Sequence, residues 1–232
     1  EAMRAGVDMV FVSSNADLQR ESAAAALAAA ESGSIDAREL DVSAERILRA
    51  KERWIHPAEP ESAGRAEDFA AAARMAREAV TAVRGKACRA SEKTFFCGCA
   101  DYRMTQASNA DPEAKAFPEY MGARFGAKFA VCSKDPDEKE IAELVKCADG
   151  AENIIFSSCN AHLFRGQLAL AAALAEKGVP MTVAALRNPY DLPLMPENAA
   201  LLAAFDYSRD SLAALADVFS GGDCCGVMPA AL

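Results

Sequence analysis

Apolar positions along the chain follow two regimes. Up to about residue 84 they recur at helical spacing after one early apolar run, and from Thr94 onward short continuous apolar runs alternate with helical stretches. The stretch 152–193 states the second regime most fully. Ile154, Ile155 and Phe156 form a short run, Leu163, Leu168, Leu170, Ala171 and Leu174 follow at mostly helical spacing, Gly178 stops the helix, and residues 181–186 form a second run. This is the pattern of a parallel βαβ crossover whose strands are buried on both faces. Ligands of open α/β sheets bind beyond the carboxyl ends of such strands, which marks residues 157–162 and 187–192 as the loops to watch.

The same alternation predicts strands over 94–99, 128–132, 153–157, 181–186 and 202–207, and helices over 118–125, 138–148, 163–177 and 211–219. The expected architecture is an α/β fold: a flavodoxin-like parallel sheet flanked by helices, with strand order 2-1-3-4-5. Its expected core contains Phe95, Phe129, Val131, Ile154, Ile155, Phe156, Val183, Leu186 and Phe205. Two connections, 100–117 and 187–200, are long and polar, as functional or mobile loops tend to be.

Ahead of this domain, residues 7–12 read as a strand, followed by Ser13, Ser14 and Asn15. Asp17 is the expected cap of a helix that runs to about Ser32 and ends at Gly33. Asp36 and Glu39 have the charge placement of a capping box ahead of a helix that puts Leu40, Ala44, Ile47 and Leu48 on one face. Two prolines and several small residues make 55–63 a linker. Beyond it Phe69, Ala72, Ala73, Ala76, Val80 and Val83 keep helical spacing and predict a helix to about Arg84. The expected domains are therefore 1–54, a linker over 55–63, and 64–232.

Composition narrows the function classes. The chain has 232 residues, 52% of them hydrophobic, enough to bury a sizeable core. Its net charge of -9 argues against nucleic acid or an acidic membrane surface as a partner. No apolar run reaches the roughly 20 residues of a membrane span. Eight cysteines without a repeating spacing, several within apolar runs, predict reduced buried thiols and hence a cytoplasmic setting.

Several motifs carry a resemblance. Ala5-Gly6-Val7-Asp8-Met9, then Ile35-Asp36, then Leu40-Asp41-Val42-Ser43 with Arg46-Ile47-Leu48-Arg49-Ala50-Lys51-Glu52, resemble the end of the catalytic (β/α)8 barrel of family 3 glycoside hydrolases. Ala76-Arg77-Glu78-Ala79-Val80-Thr81 resembles the helix that opens that family's second, α/β domain. Arg187-Asn188-Pro189-Tyr190-Asp191-Leu192 resembles a loop of its β-N-acetylhexosaminidase members. Tyr207-Ser208, Ser211-Leu212, Ala214-Leu215 and Gly226-Val227-Met228-Pro229 resemble the closing segment, with a departure at Cys224-Cys225.

The resemblance implies an α/β second domain preceded by the last strand and helices of a barrel. It also implies retaining hydrolysis by a carboxylate nucleophile late in the barrel, with a His/Asp pair on an earlier barrel loop as general acid/base. Both would precede Glu1, so the chain is expected to be a C-terminal fragment, non-catalytic alone. Its expected partner is the carbohydrate substrate of the intact parent. No cofactor or metal is expected. A barrel strand without its neighbours leaves unpaired backbone, so the 7–54 segment is expected to dock on the α/β domain, pair with a second copy in a homodimer, or be poorly ordered.

Most retaining glycosidases need two carboxyl groups about 5 to 5.5 Å apart. Asp8 reads as a structural polar residue. Asp191 is the better carboxylate, although Asn-Pro-Tyr-Asp is first of all a turn sequence. In the functional reading Arg187, Asn188, Tyr190 and Asp191 line a sugar cleft, with Ser14 and Asn15 at the end of the barrel strand. A rival reading is a stand-alone α/β module that binds a small molecule or carbohydrate. A further one is an enzyme using Cys159 with His162, although the flanking Ser157 and Ala161 lack the glycines of a nucleophile elbow. Cys97-x-Cys99 does not have zinc spacing and reads as core, and His56 as a solvated linker residue.

Overall fold

The computed structural model describes residues 1–12, 15–55, 64–100, 115–229 and 231. Ser13, Ser14, His56 and most of the 55–63 and 100–117 connections lie outside the described residues. The chain divides into two compact units, one largely within residues 1–63 and the other within residues 64–232.

The larger unit is built on a six-stranded sheet. Its strands are β1 (Thr81–Arg84), β2 (Thr94–Cys99), β3 (Lys128–Cys132), β4 (Asn153–Ser158), β5 (Met181–Ala185) and β6 (Ala200–Ala203), in spatial order β1-β6-β5-β4-β2-β3. From β2 onward every pairing is parallel, and these five strands have the expected order 2-1-3-4-5. The central strands are mostly apolar because helices cover both faces, and β2, β5 and β6 are buried at every position.

Four helices follow the strands. They are α4 (Phe117–Phe125), α5 (Glu138–Cys147), α6 (Arg165–Ala175) and α7 (Arg209–Phe219). Several boundaries have a local cause. Pro118 sits in the first turn of α4, whose end is set by Gly126 at φ 64°, a left-handed conformation that glycine adopts without strain. The Asp137 carboxylate accepts from the Glu140 amide to cap α5, and the Ser208 hydroxyl does the same for the Ser211 amide in α7. Inside, Phe96 stacks on Phe125 at 5.8 Å and meets Phe117 edge-on at 6.3 Å, the separations that aromatic pairs favour.

The structure corrects several expectations. The helix α3 (Ala66–Ala79) stops short of Arg84, and residues 81–84 form β1, which runs antiparallel to β6. Val80 and Val83 extend the helical period, but the ladder to β6 offers backbone partners that one more helical turn does not. Phe129 and Val131 lie outside the sealed core, with Phe129 48% exposed, because β3 is the edge strand. The last strand begins and ends earlier than 202–207, and Phe205, with φ 62°, is half-buried in the turn that leaves the sheet. Helix α6 begins two residues after Leu163, which is exposed.

The smaller unit contains α1 (Ala16–Glu31) and α2 (Ala37–Trp54). Asn15, rather than Asp17, caps α1: its Oδ1 accepts from the Leu18 amide at 2.7 Å. Asp36 caps α2 through the Arg38 amide, with no reciprocal bond from Glu39 among those described. Residues 7–12 form no ladder, so the expected strand is absent: a strand needs a neighbour for its backbone groups, and none is paired to it among the described residues. Val7, Met9, Val10 and Phe11 are exposed, and neither α1 nor α2 has a buried residue. Asp8 is structural, accepting from Ser43 Oγ at 2.5 Å and Arg46 Nη2 at 2.9 Å.

Candidate functional site

The loops after β4 and β5 emerge side by side, because these strands pair directly with Ser158 opposite Ala185. After β4 the chain turns at Asn160, whose φ of 53° lies in the left-handed region that asparagine tolerates better than most residues. The Leu163 and Phe164 amides both return to the Asn160 carbonyl, closing the turn. After β5, Pro189 starts a short 3-10 helix, Pro189–Leu194, held down by the fully buried Leu192. The turn reading of Asn-Pro-Tyr-Asp is correct as local structure.

Two side-chain bridges join these loops. Asn188 Nδ2 donates to Asn160 Oδ1 at 2.8 Å. Asp191 Oδ1 accepts from the His162 backbone amide at 3.0 Å and meets His162 Nδ1 at 2.7 Å. The Asp191 side chain is wholly buried, so of the described sugar-lining candidates it is the one withdrawn from the surface. Its Oδ2 is buried without a hydrogen-bond partner. Tyr190 is 61% exposed, and its ring stands at 84° to the His162 ring with centroids 6.3 Å apart. Arg187 is half-buried at the start of the loop. Asn15 belongs to the smaller unit, where capping α1 occupies its side chain, and Ser14 lies outside the described residues.

His162 therefore pairs with Asp191, not with a cysteine nucleophile. Cys159 is 2% exposed, and its amide donates to Gln167 Oε1 at 3.0 Å. Gln167, which sequence reasoning missed, is buried on α6 and returns its Nε2 to the carbonyls of Lys134 and Cys159, fixing the start of the β4 loop. A polar residue on the apolar face of a predicted helix was the available signal. Ser157 Oγ and Ser158 Oγ, at the end of β4, are buried without partners.

The cysteines hold no metal cluster: among the described residues there is no group of three or more His, Cys, Asp or Glu arranged for an ion. Cys97 and Cys99 are buried in the core, as alternation predicts. A hydrogen bond with Cys97 and burial push the Cys132 thiol above the ordinary range. Among the described residues, no helix is long and apolar enough to cross a membrane.

No family model matches the chain, and no curated protein matches it. Solved structures do. A family 3 β-N-acetylglucosaminidase from Paenibacillus sp. str. FPU-7 matches 95% of this chain with 44% of its own length, at TM-score 0.66 and 25% identity. A fungal multi-domain family 3 β-N-acetylglucosaminidase matches 98% of this chain with 28% of its own, at TM-score 0.64 and 18% identity. A β-glucosidase from Listeria innocua matches 84% of this chain with 32% of its own, at TM-score 0.54 and 14% identity. The chain spans less than half the length of each of these structures. The last two likenesses concern fold alone; the first makes this chain similar, over 95% of its length, to a family 3 glycoside hydrolase.

Proposed function

We propose that this chain is part of a retaining glycosidase that hydrolyses terminal β-N-acetylhexosaminides, and that its own contribution is to support and bind rather than to cleave. The likeness to the Paenibacillus β-N-acetylglucosaminidase, at 25% identity over 95% of this chain, is the observation that carries the reading. More than half of that enzyme has no counterpart here, which leaves room for the nucleophile and the acid/base outside residues 1–232.

The two carboxylates that the sequence singles out, Asp8 and Asp191, fit this division. Retaining chemistry splits the work between a nucleophile and a separate acid/base that flank the scissile bond. Asp8 is tied to Ser43 and Arg46, and Asp191 is buried against His162. Asp191 is wholly buried, and Asp8, although 32% exposed, is already engaged by two partners.

The test is turnover of a chromogenic β-N-acetylglucosaminide by purified residues 1–232, beside the longer enzyme that contains them. The expected result is turnover by the longer enzyme and none by the chain alone. Turnover by the chain alone, or a longer enzyme that accepts β-glucosides and ignores N-acetylglucosaminides, would overturn the reading.

A further inference from the structure

The bridge between His162 and Asp191 has one asymmetry. A carboxylate only accepts hydrogen bonds, so the 2.7 Å contact to Asp191 Oδ1 requires the proton of the neutral imidazole to sit on Nδ1. The lone pair is then on Nε2. That nitrogen makes no hydrogen bond to any described residue, while the side chain is 25% exposed and its acidic partner wholly buried. Asp191 also grips the His162 backbone amide, so both the ring and the chain that carries it are fixed. A rigid acceptor is thus presented at the carboxyl end of the sheet, where open α/β folds take their ligands.

Beside it stands the exposed Tyr190 ring, perpendicular to the imidazole. An apolar plate next to one fixed polar group is the composition of a small-molecule subsite, in which the aromatic supplies area and the polar group supplies orientation. A saccharide presents both complements: hydroxyl groups that donate, and a C–H face.

We infer that His162 is a sugar-binding residue: Asp191 fixes its imidazole so that Nε2 accepts a hydrogen bond from a hydroxyl of the saccharide, whose apolar face lies against Tyr190. This rests on the glycosidase reading for the kind of ligand and adds a residue and an atom to it. Asp191 acts through His162 as a positioning residue.

The experiment has two arms. In residues 1–232, ring nitrogen shifts of His162 are measured while N-acetylglucosamine is added. The expected result is the Nδ1–H tautomer in the unliganded chain and a saturable movement of the Nε2 signal that Tyr190→Ala weakens. An Nε2–H tautomer, or an Nε2 signal unmoved by the sugar, overturns the inference. In the longer enzyme, His162→Gln is expected to raise KM about tenfold with kcat nearly unchanged, the signature of lost uniform binding. A substrate lacking the contacted hydroxyl is expected to suffer with the wild type and not with the variant. An unchanged KM, or no deoxy substrate whose penalty vanishes in His162→Gln, refutes the contact while leaving the glycosidase reading standing. A wild-type enzyme without hexosaminidase activity refutes that reading instead, and the ring shifts of residues 1–232 then decide the His162 inference separately.

Discussion

Asn188 donates its side-chain amide to Asn160 Oδ1 at 2.8 Å, stitching the loop after β5 to the loop after β4 at a residue held in the left-handed region. Asn160 is 1% exposed, so its carbonyl oxygen has no water to fall back on. Asn160→Ala is expected to cost about 2–3 kcal/mol, combining a non-glycine side chain at positive φ with an unpaired partner. Asn160→Gly relieves the backbone and should cost about 1 kcal/mol. Urea unfolding separates the two; equal losses would show that the backbone conformation contributes nothing.

Gly98 is the glycine whose missing side chain matters most to the ligand end of the sheet. A Cβ there would lie 1.9 Å from Ser157 Oγ and 2.9 Å from the Ser157 carbonyl oxygen on the neighbouring strand. Gly98→Ala is expected to destabilise by about 1–3 kcal/mol through overpacking. In a Ser157→Gly background, which removes the nearer atom, the penalty should shrink. A penalty of the same size in both backgrounds would place the clash elsewhere.

Asp206 gives the acid limb of stability a traceable source. Burial opposes its charge, but hydrogen bonds from the Ser208 side chain, the Tyr207 and Ser208 amides and the Ser211 hydroxyl outweigh it and hold the carboxyl below its usual range. A depressed carboxylate contributes stability above the unfolded value of about 4 and loses that contribution as pH falls through the lower folded value. Asp206→Asn should therefore flatten the decline in stability below about pH 4 and leave its slope near neutrality unchanged. Identical acid limbs in the two proteins would remove Asp206 from the account.

The thiols should divide by depth. Cys147 and Cys225 are exposed, whereas Cys97, Cys99, Cys132 and Cys159 are buried. Native alkylation followed by mass analysis is expected to mark the first two and to reach the buried four only after unfolding. Rapid native labelling of Cys159 would revive the cysteine-nucleophile reading.

The central strands of the parallel sheet were legible because they are buried on both faces and therefore announce themselves as apolar runs; the order of β2 to β6 is that of the flavodoxin-like fold expected for such an alternation. What escaped the sequence depends on position within the sheet. Phe129 has the composition of a core residue and lies exposed because nothing flanks β3 on its outer side. Residues 81–84 have a helical period and become a strand only because β6, far along the chain, offers an edge. The candidate site divided the same way. His162 and Asp191 each stood out, one as a partner for Cys159 and the other as a lone carboxylate, but their pairing spans 29 residues and exists only once β4 and β5 are adjacent. Asn160 and Gln167 gave no motif, since their roles are to satisfy neighbours that the fold supplies.

The antiparallel edge has a kinetic consequence. Arg84 Nε reaches the carbonyl of Ala199, 115 residues away, and the Gly226 amide closes on the Val80 carbonyl at 2.9 Å. Contacts of such separation must overcome the entropy of closing a long loop before they contribute, so β1 should zip on after the parallel strands have assembled. The first strand in sequence becomes the last to join. Its amides should accordingly exchange with solvent by a partial opening that leaves β2, β4 and β5 protected, and a cut just beyond α7 should loosen residues 79–84 although no bond near them is touched.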